Sequence, residues 1–197
     1  MVQTPVRQIT LAEFLVLPDT KPASEYIDGE IIQKPMPQGQ HSVIQKKLLL
    51  TIDPILSEAG IAQVFPELRC VFGGRAVVPD VVIFEEANIS YDENGEITNA
   101  VSIAPDWTIE ILSPEQSTTR VLKNINHCLA HGTQMGWLID PTDRSVFICL
   151  PNHTFQMIDE PTTILPMPVF AAEILQGRGY ANELTVEMIF SWIKKKV

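Results

Sequence analysis

The sequence is poor in cysteine and in positive charge, and it contains no long apolar run. Its three cysteines, Cys70, Cys128 and Cys149, stand far apart in apolar surroundings, without a CxxC pair or a zinc-type Cys/His spacing. This argues against a disulfide scaffold and against a structural zinc site. No run is long enough to cross a bilayer, and the opening residues MVQTPVRQ lack a signal-peptide core. We therefore expect a cytoplasmic protein with no membrane partner.

Basic residues are outnumbered by acidic ones, 14 to 24, which gives a formal net charge of −10. A protein that coats nucleic acid without sequence preference relies on lysine and arginine to bind phosphates, so this balance disfavours that class. A local basic groove is still compatible with it. The charge therefore limits the extent of any nucleic-acid interface without excluding one.

The N-terminal third of the chain has signals for helix, hairpin and helix. Thr10 and Glu13 have the spacing of a capping box, which predicts a short helix over about residues 10–17. The Asp-Gly pair in EYIDGEIIQK predicts a hairpin. Apolar residues at helical spacing then predict a helix over about residues 41–58, ending before Gly60.

The middle of the chain alternates strand and helix signals. IAQVFPELRCVF and AVVPDVVIFEE, joined by Gly73-Gly74, are interpreted as two strands, and WTIEILSPE as a third. TTRVLKNINHCLAHG is typical of a helix closed by Gly132, and MGWLIDP of a fourth strand. This order predicts an α/β fold with a mixed β-sheet flanked by helices. With no repeat or linker, we expect one domain over 1–197, with its core at about 41–150 and a C-terminal extension over 151–197.

Two acids interrupt apolar strands at neighbouring positions of this predicted sheet. Asp80 precedes the apolar block of VVPDVVIFEE, and Glu110 lies inside WTIEILSPE. Two buried acids on adjacent strands repel unless a proton or a cation lies between them. Hard cations such as Mg²⁺ take oxygen ligands, usually one or two carboxylates with water. The pair therefore indicates a cation site.

A structural role for these acids is the alternative. In this interpretation each acid caps a helix or meets an arginine at the surface, and Arg69, Arg75 and Arg120 are near enough in sequence to do so.

The segments SEYIDGEIIQ, QGQHSVIQKKL, VPDVVIFEE, TIEILSPEQS and HGTQMGWLIDP occur in this order over about residues 24–150. In this arrangement the chain resembles the Uma-type family of the PD-(D/E)xK nuclease superfamily, which is abundant in cyanobacteria. The resemblance implies a restriction-endonuclease-like core, preceded by an N-terminal helix and β-hairpin. It also implies a metal-dependent endonuclease that hydrolyses DNA phosphodiester bonds.

The resemblance also assigns residues. Asp80 corresponds to the acid of the PD motif and Glu110 to the acid of the third strand, and both would bind a divalent metal, Mg²⁺ or else Mn²⁺. The backbone carbonyl of Ile111 is the expected further ligand. Such a metal polarises the scissile phosphate and lowers the pKa of an attacking water.

The motif lysine is missing. Its usual place, two residues after the glutamate, holds Leu112, and the family's other place, eight residues before Gly132, holds Asn124. Lys123 is adjacent, but neighbouring residues of a helix point about 100° apart. Lys123, Gln116 or Asn124 are therefore the candidates for handling the water.

Three further residues match recurring positions of the family. Glu67, in FPELRCV on the strand before Asp80, is either a third acid of the site or a surface residue. His41 contacts a phosphate or the water shell of the metal, or is simply a polar residue at the helix N-terminus. Glu25 is expected to make a structural contact in the hairpin.

The resemblance, together with the acid pair, therefore implies a Mg²⁺-dependent endonuclease acting on DNA. A catalytically impaired nuclease-fold protein that binds nucleic acid or a protein partner is the alternative, and the missing lysine and acidic charge favour it. Members of the superfamily that cut both strands often pair, so a homodimer is an arrangement to test.

Overall fold

The computed structural model describes residues 9–114, 116–177 and 184–195, and within them the chain forms five α-helices and ten strands. The helices are α1 (Leu11–Leu15), α2 (Gly39–Glu58), α3 (Thr118–Ala130), α4 (Val169–Gly177) and α5 (Val186–Ser191). The strands are β1 (Ser24–Ile27), β2 (Glu30–Gln33), β3 (Ala62–Pro66), β4 (Cys70–Phe72), β5 (Arg75–Val77), β6 (Val81–Glu85), β7 (Trp107–Ile111), β8 (Met135–Asp140), β9 (Ser145–Cys149) and β10 (Phe155–Ile158).

Six strands form the large sheet, in the order β10-β9-β8-β7-β6-β3. Strands β7 and β8 are parallel because α3 carries the chain across between them, whereas the other neighbours are antiparallel. Apolar side chains of α2, α4 and α5 pack on one face of this sheet, and those of α3 pack on the other. The predicted fold class, a mixed sheet flanked by helices, is confirmed.

The core on the α2 face contains two tryptophans. Trp107 and Trp137 are fully buried and meet edge to face, with ring centroids 4.9 Å apart. The indole N–H of Trp137 donates to the carbonyl of Pro166 at 3.0 Å, so one of the two polar ring atoms is satisfied. This packing joins β7 and β8 to the main hydrophobic core.

The other four strands form the small sheet, in the order β2-β1-β5-β4. The prediction of two long strands around Gly73-Gly74 is therefore wrong, because each consists of two short strands in different sheets. The first breaks after Pro66, where Glu67 has a φ of +47°, and the second breaks at Pro79, which has no N–H for a ladder. As a result, Asp80 lies where the chain passes from the small sheet into the large one.

Several local predictions are confirmed. Thr10 and Glu13 form the capping box of α1. Asp28 and Gly29 both have positive φ and close the hairpin of β1 and β2, as a tight two-residue turn requires. Within the described part of the chain, no helix has the length and apolar character needed to cross a membrane.

Candidate active site

The two predicted acids lie together in the interior. Asp80 immediately precedes β6 and Glu110 belongs to β7, and these strands are neighbours because Val81 pairs with Ile109. The acids are only 2% and 4% exposed, respectively. Neighbouring strands of the large sheet therefore bring two buried carboxylates to one place, which we call the acid pair.

The cation at the acid pair is a lysine. The Nζ atom of Lys34 lies 2.7 Å from Asp80 Oδ1 and 3.3 Å from Glu110 Oε2, and it donates to the carbonyl of Val78 at 2.7 Å. Lys34 directly follows β2, so it comes from the small sheet. It is not among the site residues that the sequence predicts.

A weak signal for Lys34 exists in the sequence. The Asp-Gly turn sets the hairpin register, in which Ser24 pairs with Gln33, and the Lys34 amide then donates to the Ala23 carbonyl. This register places Lys34 at the end of the hairpin. Nothing local shows that this end docks over the acid pair, because the docking joins segments far apart in the chain.

Charge and burial act against each other around Lys34. Burial disfavours its ammonium, but the charges of Glu110, Asp80 and Glu25 outweigh burial and raise the pKa of Lys34 well above its usual range. Burial also opposes the ionised form of Asp80, yet Lys34 and a hydrogen bond from His41 hold the pKa of Asp80 below its usual range. The Lys34–Asp80 ion pair is therefore firmly charged.

Glu110 behaves in the opposite way. Burial raises its pKa well above the usual range, and although Lys34 counteracts this, the charges of Asp80 and Glu25 raise it further. Three acids share one ammonium, so Glu110 takes up a proton more readily than Asp80 does.

Asp80 is held in a fixed orientation. Its Oδ2 accepts the backbone N–H of Ile111 at 2.8 Å and lies 3.0 Å from His41 Nε2. Because a carboxylate only accepts, Nε2 carries the proton. Gln45 donates to the backbone carbonyl of Asp80 at 2.9 Å. The predicted His41 thus contacts the acid directly, and its buried Nδ1 has no hydrogen-bond partner among the described residues.

Glu25 is the third acid near Lys34. It is 4% exposed, and burial raises its pKa. Its Oε1 accepts the N–H of Val78 at 2.8 Å, and its Oε2 accepts from Asn124 Nδ2 at 3.1 Å. Both carboxylate oxygens of Glu25 thus bind residues outside the hairpin, unlike the expected contact within it, and the group adds negative charge to the site. One N–H of the Asn124 side-chain amide is therefore used in the hydrogen bond to Glu25.

Two cavities open on either side of Lys34. The Asp80 cavity, of about 330 Å³, is lined by Lys34, Asp80, His41, Glu67 and Gln116 among others. The Glu110 cavity, of about 380 Å³, is lined by Lys34, Glu110, Glu25, Asn124 and Gln116 among others. Lys34 and Gln116 belong to both linings, so they stand between the two cavities.

Gln116 and Glu67 lie close to Asp80. The Oε1 of Gln116 accepts the N–H of Ser113 at 3.1 Å, which holds its side chain at the cavity wall. Glu67 follows β3 instead of lying in a strand, and its side chain is exposed at the rim, where Gln45 donates to it at 3.4 Å. Its backbone N–H donates to the Asp80 carbonyl at 3.2 Å.

Neither Lys123 nor the usual place of the motif lysine supplies an ammonium to the acid pair. Lys123 is exposed and lines an adjoining groove of about 650 Å³ with Arg75 and Asp28, but it lines neither cavity at the acid pair. Leu112 is buried in an apolar cluster with Val121 and Ile125 of α3. The usual place of the motif lysine is therefore filled by a side chain that packs the sheet against α3.

Arginine does not neutralise the acid pair in the described part of the chain. Arg69 pairs with Asp19 at 2.9 Å and Arg75 pairs with Asp28 at 2.7 Å, both at the surface. Arg120 lines the Glu110 cavity. The interpretation of these acids as arginine-paired surface groups is not supported.

The oxygen atoms at the acid pair are of the kind that binds a hard cation. Oxygens of Asp80, Glu110 and the Val78 carbonyl converge on one point, and oxygens are the ligands that Mg²⁺ takes. The centre of this set is the Lys34 ammonium. Within the described residues no group of three or more His, Cys, Asp or Glu side chains could hold a metal ion. The described residues therefore bring two carboxylates, and not a full cage of side chains, to this position.

The chain thus has a mixed sheet flanked by helices, with two buried acids at neighbouring strands. Residues 11–178 match the model of the Uma2 family, described as "Putative restriction endonuclease". This match spans most of the chain, so the chain belongs to that family. The resemblance seen in the sequence is confirmed.

A solved structure supports the same assignment. The chain is similar to a protein of the cyanobacterium Anabaena variabilis described as a "putative nuclease belonging to DUF820", with a TM-score of 0.87 and 53% sequence identity. The similarity covers 93% of this chain and 98% of that one. No curated protein matches the chain.

Proposed function

We propose that this protein is a metal-dependent endonuclease that hydrolyses DNA phosphodiester bonds, with Asp80 and Glu110 as its metal-binding pair. The observation that carries the proposal is the convergence of two buried carboxylates on one cation position, in a chain that belongs to a family described as nucleases. The position adjoins two cavities from which a phosphate and a water can approach.

The surrounding residues fit this role. His41 and the Ile111 N–H fix one oxygen of Asp80, and the Ile111 carbonyl is the proposed further ligand. Gln116 lines both cavities, and its proposed role is to orient a water. A divalent ion such as Mg²⁺ or Mn²⁺ would stabilise the charge of the phosphate and lower the pKa of a bound water.

Local positive charge makes DNA compatible with the acidic balance of the chain. Lys21 lines the Asp80 cavity and Arg120 lines the Glu110 cavity. Both residues are exposed and can meet the phosphates on either side of a scissile bond. A short basic rim of this kind is enough for a substrate contact without a large basic surface.

A catalytically impaired nuclease-fold protein that binds nucleic acid or a protein partner is the rival. The observation that favours it is the Lys34 ammonium at the centre of the oxygen donors, where a metal ion would have to compete with it.

A cleavage assay tests the proposal. Purified protein is incubated with single- and double-stranded DNA and Mg²⁺ or Mn²⁺, beside Asp80→Asn and, as a matched control, the exposed Asp143→Asn. We expect cleavage by the wild type and by the control, and a loss of at least about a hundredfold in Asp80→Asn, because several kcal/mol of charge stabilisation are removed.

Cleavage that persists in Asp80→Asn contradicts the site. No cleavage, together with metal binding that depends on Asp80 in calorimetric titration, favours the impaired rival.

A further inference from the structure

We propose that Lys34 is the lysine of this active site, and that its ammonium donates to the attacking water or to the scissile phosphate beside the acid pair. This inference rests on the proposed nuclease function. It assigns to the hairpin of the small sheet a role for which the sequence offers Lys123, Gln116 or Asn124.

The first support is that the positions where a catalytic lysine is expected do not bring an ammonium to the acid pair. Leu112 is buried against α3, and a charged side chain there would have to enter an apolar cluster. Asn124 donates to Glu25 and carries no charge. Lys123 lines the adjoining groove and neither cavity at the acid pair. The described residues therefore place a single ammonium, that of Lys34, within hydrogen-bond distance of the acid pair.

The second support is access. The side chain of Lys34 is 13% exposed and takes part in the walls of both cavities. Lys34 is therefore within reach of a group bound in either cavity. A buried ammonium in a water-poor site stabilises a developing negative charge more strongly than an exposed one does.

The third support is the way Lys34 is held. Its backbone N–H donates to Ala23 at 2.9 Å, and β1 of the same hairpin pairs with both β2 and β5. Glu25 of β1 is fixed by the Val78 N–H. These contacts position the amine through backbone pairing, which is the kind of support that catalytic groups need.

The hydrogen bonds of Lys34 predict that its ammonium and a metal ion compete for the two carboxylates. An ammonium has three donors, and Asp80, Glu110 and the Val78 carbonyl take all three. At least one of these bonds has to be exchanged before Lys34 can donate to a water or a phosphate. An ion bound by the two carboxylates makes that exchange favourable, because it replaces the ammonium as their partner.

Two substitutions at Lys34 test this role, with Lys194→Met as a control that removes an exposed lysine. Lys34→Met keeps the length and removes the charge, and Lys34→Arg keeps the charge with a different donor geometry. Each variant is measured by calorimetric titration with Mn²⁺ and by single-turnover cleavage of DNA. Mn²⁺ binding is the readout that does not depend on activity.

We expect Lys34→Met to bind Mn²⁺ at least as tightly as the wild type and to cleave at least about a hundredfold more slowly. Lys34→Arg should recover part of the cleavage, and Lys194→Met should match the wild type. If Lys34→Met does not fold, Lys34→Arg decides: cleavage at least about tenfold below the wild type with unchanged Mn²⁺ affinity supports the role.

Other outcomes overturn it. Wild-type cleavage in Lys34→Met, or in Lys34→Arg if that variant alone folds, contradicts the inference and leaves the proposed function intact. A wild-type protein that cleaves no DNA contradicts the proposed function and this inference with it.

Discussion

The two sheets supply different groups to the same site. The large sheet holds Asp80 and Glu110 on neighbouring strands, next to the packed core that includes Trp107 and Trp137. The small sheet has strands of only three or four residues, and its hairpin supplies Lys34 and Glu25. The site therefore depends on how one sheet docks on the other, and not on either sheet alone.

Removing core from the large sheet should have the largest effect. Trp137→Ala deletes a fully buried ring that packs against Trp107 and donates to Pro166. We expect the free energy of unfolding to fall by about 3–5 kcal/mol in denaturant titration. Phe155→Ala, at an exposed position of the same sheet, should change it by less than about 1 kcal/mol. Equal losses in the two variants would contradict the description of the core.

Breaking the contact between the sheets should come next. Lys34→Met leaves Asp80, Glu110 and Glu25 without their shared ammonium, which should cost about 3 kcal/mol of unfolding free energy. Added Mg²⁺ should stabilise this variant more than the wild type, because the ion replaces the ammonium.

A double-mutant cycle with Asp80→Asn measures the coupling across the sheets. The double variant should be more stable than the sum of the two single losses predicts, by about 1–3 kcal/mol. Strict additivity would mean that the Lys34–Asp80 ion pair contributes nothing to folding.

The two acids of the large sheet should respond to pH with opposite signs. The pKa of Asp80 is lowered by Lys34 and His41 against burial, so its contribution to stability is present above the unfolded pKa, about 3.9, and is lost as pH falls below it. The pKa of Glu110 is raised by burial, so its contribution is present below about 4.3 and is lost as pH rises through the folded pKa.

Denaturant titrations across pH compare the two variants with the wild type. The stability difference between Glu110→Gln and the wild type should shift in favour of the variant as pH rises above about 4.3, whereas Asp80→Asn should lose less stability than the wild type as pH falls below about 3.9. Parallel curves for all three proteins would contradict the assignment of the charges.

Cysteine labelling should show the smallest difference between the sheets. Burial raises the pKa of Cys70, in the small sheet, to about 12 and that of Cys149, in the large sheet, to about 11. Both thiols are buried, so alkylation at pH 8 requires local opening. We expect Cys70 to react first in mass-spectrometric time courses, because its short sheet has fewer backbone hydrogen bonds. Earlier reaction of Cys149 would mean that the large sheet opens more readily than the small one, which contradicts this prediction.

Local signals were sufficient for much of the fold. Thr10 and Glu13 define the start of α1, and the Asp28-Gly29 turn defines the hairpin, because each depends on residues a few positions apart. The strand end at Glu67 does not follow from such local signals. The positive φ of Glu67 ends a strand that the apolar pattern alone would continue. A pattern of apolar residues records burial, and it does not record the point at which a strand leaves one sheet for another.

At the site, too, local signals predict one part and only the tertiary structure decides the other. Asp80 and Glu110 could be predicted from the order of strands, since β6 and β7 follow each other in the chain and pair in the sheet. Lys34 contacts Asp80 across 46 positions of sequence and Glu110 across 76, from a different sheet. Its place depends on the docking of the hairpin over the acids, where burial makes an unpaired carboxylate costly and so selects the ammonium as its partner.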